Sequence, residues 1–320
     1  MSQNILSRLK IRDFRQYVVY VSFLVILLFF SITLVDRGFL SPSNLMNILR
    51  QTAMVSIMAV GMTFTLSAGE IDLSIGSTVA LAALISAVIL EHIDFIPLAI
   101  LASLGTGFVI GFINGFITTK ARIPAFLVTL GTAGIISGLA RSITNLEAVP
   151  IINTRFNFIF GSGDVGPVST LFLWTLVVLL IGHVLLKHTP FGRAILATGG
   201  NRSAARYSGI RTDRIRVAAL VISAITASFA GILYAGRLHG ARYTLGEYDL
   251  MTVIAAVIIG GTSFSGGRGS VVGAILGSIV MGMMNNGLLL MGLSVSDQMI
   301  ARGVIIIIAV SLSLRESREN

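Results

Sequence analysis

The polar residues of this chain that are able to do chemistry stand at the edges of, or inside, long apolar runs. Thr63, Thr65, Ser67, Glu70, Asp72 and Ser74 cluster around a break after one such run, and Asn114, Asn285 and Asn286 lie within others. A charge at the centre of a bilayer costs at least about 2.5 kcal/mol, and an unpaired amide there is also expensive. Such groups therefore face either protein or a water-filled path. As a path lining, Thr63, Ser67, Glu70, Asp72, Ser74, Asn114, Asn285 and Asn286 would replace the hydration of a hydroxyl-rich solute, with Phe64 as an apolar face for its carbon skeleton. As structure, the same groups would bond helix to helix, and Asp72 and Asp249 would accept backbone N–H groups where the next helix starts.

A second cluster has the opposite character. Thr189 to Arg216, TPFGRAILATGGNRSAARYSGIRTDRIR, is too basic to span a bilayer. Within it Ala194, Ile195, Leu196, Ala197, Ala204, Ala205, Tyr207 and Ile210 form short amphipathic stretches broken at Gly199, Gly200 and Gly209. That apolar content marks a docking element on the cytoplasmic face, against the alternative of a solvated loop that only sets topology. No catalytic constellation is visible. His92, His183, His188 and His239 are isolated, so no metal site is expected, and the chain has no cysteine. The glycine-rich run from Gly260 to Ser270 lacks the Gly-Lys pair of a phosphate loop and reads as a turn.

The elements that must position these residues are membrane helices. Hydrophobic residues make up 54% of the chain and charged ones 12%, in long apolar runs. Ten spans are expected, near 17–35, 46–68, 74–90, 97–118, 125–143, 168–187, 214–236, 250–262, 270–291 and 298–314, two of them short enough to be re-entrant or broken. The chain reads as one all-α, polytopic transmembrane domain over 1–320, with the docking segment at 188–213. The net charge of +9 resides in loops and tails, which excludes nucleic acid as the natural partner. Most Lys and Arg fall on one side, including Arg8, Lys10, Arg12 and Arg15, and this places both termini in the cytoplasm. Arg302, near Asp297 and Gln298, reads as an interfacial anchor or ion pair.

Gly69-Glu70-Ile71-Asp72-Leu73 recurs as Gly246-Glu247-Tyr248-Asp249-Leu250, and Asn114-Gly115 has a counterpart in Asn286-Gly287. Five spans separate the pentapeptides, so the first falls on the cytoplasmic side and the second on the outer side, as two inverted repeats would have it.

Three blocks, GMTFTLSAGEIDLSIGSTVALAA (61–83), TPFGRAILATGGNRSAARYSGI (189–210) and AAVIIGGTSFSGGRGSVVGAILG (255–277), occur in order. On these, the chain resembles the permease subunits of bacterial monosaccharide ABC importers of the ribose, xylose and arabinose type, from about Phe39 to Leu314. The resemblance implies a ten-helix, cobalamin-importer-like permease fold in the bacterial inner membrane, paired with a second copy or a close homologue, with the solute path at or near their interface. It implies cytoplasmic ABC ATPase subunits that use ATP and Mg, a periplasmic sugar-binding protein, and no cofactor in this chain. Gly192, Arg193, Asn201, Ala204, Ala205, Gly209 and Ile210 match the family's ATPase-coupling loop. The family form has Gly-Gly-Ile-Asp-Leu-Ser where this chain carries Glu70, a departure that would mark a subgroup with a different solute. Rival expectations are an ABC permease for branched-chain amino acids or nucleosides, and an ion-coupled carrier using Glu70, Asp72, Glu247 and Asp249. A membrane enzyme is the most remote.

Overall fold

The computed structural model describes residues 14–294, 296–301, 303, 304 and 307, with side chains from Val19 onward. The long helices are α1 (Phe14–Thr33), α2 (Pro42–Ser67), α3 (Ile75–His92), α4 (Ile96–Lys120), α5 (Ala125–Ile143), α7 (Thr170–Lys187), α10 (Thr212–Leu238) and α12 (Val271–Leu290). Shorter ones are α6 (Thr154–Asn157), α8 (Pro190–Gly200), α9 (Arg202–Tyr207) and α11 (Asp249–Ile259). Two two-residue antiparallel pairs, β1 (Val149–Pro150) with β4 (Gly240–Ala241) and β2 (Asp164–Val165) with β3 (Val168–Ser169), tie loops together. Helices dominate because a bilayer cannot satisfy free backbone groups. Where they start, local chemistry is visible: Ser41 accepts the Asn44 N–H at 3.3 Å and Pro42 follows at the first helical position.

Among the described residues seven helices, α2, α3, α4, α5, α7, α10 and α12, are long and apolar enough to cross a membrane. The protein is therefore an all-α, multi-pass membrane protein. The expected span at 250–262 is instead the 11-residue α11, about 16 Å long against a hydrocarbon core of about 30 Å. The expected tenth span, 298–314, lies mostly outside the described residues, as do Arg302 and the N-terminal Arg8, Lys10 and Arg12.

α2 and α10 form the centre. α10 packs on α2, α3 and α4, and α2 also on α7, α11 and α12, whereas α5 lies at the edge and is mostly exposed. The two halves exchange partners. α4, two helices after α2, packs on α10, and α12, two helices after α10, packs on α2. Small residues let both seams close: Gly107, Gly111 and Gly115 meet Ser228, Val221 and Val217, while Gly282 meets Thr52 and Ser278 bonds Ser56. α2 and α10 run in opposite directions, so this reciprocity has the geometry of an inverted repeat.

The second pentapeptide does not sit where the span count put it. From β4 the chain turns back into the bundle, and Gly246 lies against Gly76 and Val79 in the first turns of α3. A helix as short as α11 has to begin at depth to reach the other face, so this segment re-enters instead of staying at the outer surface.

Candidate functional site

Three chain segments converge at the end of the bundle that carries Lys120, Arg122, Lys187, Arg193, Arg202, Arg206, Arg211, Arg214, Arg216 and Arg268, here called the basic end. They are the break after α2, the α8–α9 turn, and the glycine-rich turn before α12. The Gly267 N–H donates to the Ser67 carbonyl at 3.0 Å, and the Ser67 hydroxyl donates to the Arg268 carbonyl at 3.4 Å. A Cβ on Gly199 would lie 1.9 Å from the Ser67 carbonyl oxygen, so only glycine permits this approach of α8 to the end of α2. The run from Gly260 to Ser270 is thus a turn, and it is also one wall of this junction.

At its centre lies Glu70, 4% exposed, whose carboxylate takes Arg202 at 2.6 Å and also pairs with Arg216. Arg216 is buried in the first turns of α10, and Arg202 opens α9. A carboxylate this buried requires such partners. Glu70 therefore connects the break to the basic segment and shares its charge with two cations, which is not the arrangement of an ion-coupling acid. The break is held on its other side by α5. Thr129 accepts the Leu73 N–H at 3.0 Å and donates to the Ile71 carbonyl at 3.3 Å. One continuous polar route thus runs from α9 through Glu70 to α5.

The basic segment is two helices with distinct faces. Thr189 caps α8 by accepting the Gly192 N–H at 3.1 Å, and Asn201 caps α9 by accepting the Ala204 N–H at 3.0 Å. Gly192 is buried, and a Cβ there would lie 2.0 Å from the Leu186 carbonyl oxygen. Ile195 is buried beside Phe64, Ala68 and Leu186, and Ala205 is buried in α9. Gly209, at φ +84°, ends α9, and the Ile210 N–H returns to the Ala205 carbonyl at 3.0 Å. Outward stand Arg193, Ala197, Asn201 and Ala204, with Tyr207 93% exposed.

The expected path residues are placed differently from one another. Thr63 and Phe64 are buried, the former donating to the Ala59 carbonyl at 2.7 Å and the latter packed against α8. Asp72 accepts the Ser74 N–H at 2.9 Å and the Ser74 hydroxyl at 2.6 Å, and Asn114 donates to that hydroxyl at 3.1 Å. Asn286 exchanges two 3.0 Å bonds with Asn44 at the opposite end, and Asn285 beside it is half-buried and engaged. Asn114 and Asn286 thus occupy opposite ends, as inverted halves require. Thr63, Phe64, Ser67, Glu70, Asp72, Ser74, Asn114 and Asn286 are all buried within the chain, held by packing and by bonds between segments, and of these Asp72 Oδ2 and Asn114 Oδ1 are left without a hydrogen-bond partner among the described residues. Asp249 takes the Tyr234 hydroxyl at 2.5 Å, so the second motif bonds to a different partner from the first.

Among the described residues no group of three metal-ligating side chains occurs, and His183 and His188 meet edge to face at 5.5 Å. Arg202, Arg216 and Tyr207 join the site on structural grounds. Only Tyr207 carried a local signal, an aromatic residue in a short polar helix.

Residues 44–310 match the family described as branched-chain amino acid transport system / permease component. The chain is 38% identical over 288 residues to the ribose import permease protein RbsC of Bacillus subtilis (strain 168), covering 89% of each. It is 37% identical over 282 residues to the RbsC of Escherichia coli (strain K12), covering 87% of this chain and 88% of that one. To the xylose transport system permease protein XylH of Escherichia coli (strain K12) it is 30% identical over 375 residues, covering 98% and 95%. No solved structure matches. With the membrane-spanning bundle, the reciprocal packing of its halves and a match over most of its length, the chain belongs to the branched-chain amino acid transport system / permease component family.

Proposed function

We propose that this chain is the membrane-spanning permease subunit of an ATP-driven importer for a monosaccharide or a related small polyol. It moves its solute without changing it. The ribose and xylose permeases among its relatives favour a sugar over the branched-chain amino acid of the family's descriptive name.

The observation that carries the mechanism is the build of α8 and α9. Their inner faces lock onto α2 and α10, while Arg193, Ala197, Asn201, Ala204 and Tyr207 face outward. Such a surface suits a cytoplasmic ABC ATPase, which supplies ATP and Mg chemistry in its own subunit. Displacement of α9 on ATPase closure would pull Arg202, hence Glu70, hence the Ile71–Leu73 backbone held by Thr129 on α5. α5 exposes Phe126, Leu127, Leu130 and Leu139, and Gly131, Gly134 and Gly138 have open space beyond them. That face suits a second copy or a close homologue, and the path follows the seam between them because the polar candidates inside each copy are packed. A periplasmic sugar-binding protein delivers the solute on the opposite side. The basic end and both termini are cytoplasmic, in the bacterial inner membrane.

The test is uptake by proteoliposomes holding the permease with its ATPase and binding protein. ATP-dependent uptake of a monosaccharide, and not of leucine, is expected; the reverse preference overturns the sugar assignment. Tyr207→Ala combined with Arg193→Glu should lower uptake about thirtyfold, as losing a dominant interface contact does, with assembly of the permease intact. Uptake at the unaltered rate refutes the coupling surface. Gly192→Trp is a poorer probe, because the side chain would strike the Leu186 backbone.

A further inference from the structure

Two walls of unequal height run along the seam between α4 and α10. Gly107, Gly111 and Gly115 turn toward α10, and Phe108, Phe112 and Phe116, one residue further along each turn, flank that contact. The three rings stack with centroids 6.2 and 6.1 Å apart, and each stands about half exposed. The facing wall is low, built of Val217, Ala218, Val221 and Ile222. Tall rings on one side and short side chains on the other leave an apolar groove of about 640 Å³.

The mouth of the groove lies at the basic end, where Thr119, Lys120, Asp213 and Arg214 line it. Asp213 is committed to Arg206 at 3.4 Å and Arg216 at 3.9 Å. Lys120 and Arg214 are exposed and have no ion pair among the described residues. An adjoining cavity of about 800 Å³ shares Thr119, Lys120 and Asp213 and adds the cation Arg122. From Lys120 back to Phe108 the helix rises about 18 Å, close to the depth of one leaflet of a core about 30 Å thick.

We propose that this groove is a binding site for an anionic phospholipid, with its phosphate between Lys120 and Arg214 and one acyl chain along the ring ladder. Charge decides the occupant. A zwitterionic lipid fills the groove, but its own headgroup cation offsets its phosphate, so it brings no net negative charge to the cations at the mouth. A second copy of the chain paired across this face would set Lys120, Arg122 and Arg214 against their own equivalents. The site does not depend on which solute the protein carries.

Native mass spectrometry of the full-length protein, titrated with phosphatidylglycerol and phosphatidylcholine of identical chains, tests it. Phosphatidylglycerol should bind about 25-fold more tightly, and Lys120→Gln with Arg214→Gln should cost it about fivefold per cation, abolishing the preference while leaving phosphatidylcholine unchanged. Replacing Phe108, Phe112 and Phe116 by Ala should weaken both lipids alike. In the unaltered protein, raising salt from about 0.15 to about 1 M shortens the screening length from about 8 to about 3 Å, and it should erode the preference without any variant. Equal affinity for the two lipids, or a preference that survives both the cation variant and high salt, overturns the proposal. Displacement of the lipid by inorganic phosphate alone overturns it as well, since that marks a free-anion site.

Discussion

Glu70 shows how one side chain changes meaning between sequence and structure. Its carboxylate at the edge of a span invites assignment to a solute or ion path, yet its partners are Arg202 and Arg216, 132 and 146 residues away. Removing one member of a buried pair leaves the other uncompensated. Glu70→Ala should therefore destabilise the folded protein by about 3 kcal/mol, because Arg216 is nearly as buried as its partner. Glu70→Leu combined with Arg216→Met should recover most of that loss, since apolar packing often replaces a buried ion pair without penalty. Thermal unfolding in detergent checks both, and a double variant no better than Glu70→Ala would refute the pairing. The break at Gly69–Ser74, the two-faced basic segment and the paired asparagines were legible from residue type and spacing alone. The partners were not, because polar residues in an apolar helix look the same whether they face water or another helix. Asn114, bonded to Ser74, and Asn286, bonded to Asn44, illustrate this.

The long helices could be read from hydropathy, because 18 or more apolar residues have few alternatives to crossing a bilayer. What failed was depth. The run at 250–262 was legible as short, but nothing local to it says that the preceding Gly246 is seated against Gly76 and Val79 on α3. Seams between helices set the tightest limits at this scale. A Cβ on Gly111 would stand 2.5 Å from the Val221 Cα, a contact that only a shift of α4 away from α10 relieves. Gly111→Val should cost about 1–3 kcal/mol, as overpacking does, and Gly105→Val, which has open space, should cost far less. Relative thermal stability in detergent decides it, and equal losses would mean the α4–α10 seam is looser than drawn.

At the scale of the molecule, two halves of opposite direction exchange α4 and α12, and the basic end collects the cations. The absence of cysteine makes sidedness directly readable. Arg155→Cys and Tyr207→Cys should react with an impermeant maleimide from opposite faces of sealed vesicles, since one lies in α6 and the other ends α9. Labelling of both from one face would overturn that arrangement. The depth of α11 also has a consequence for biogenesis. A nascent segment of 11 residues cannot partition from the translocon into lipid by itself, because its length leaves the re-entering backbone before it without hydrogen-bond partners in hydrocarbon. α11 must be held back until α12 emerges, and the two then enter the bilayer as one hairpin alongside α10. Ribosomes stalled at the point where α11 has just left the exit tunnel and α12 is still inside it should therefore carry a chain whose last emerged segment is still shielded by the insertion machinery.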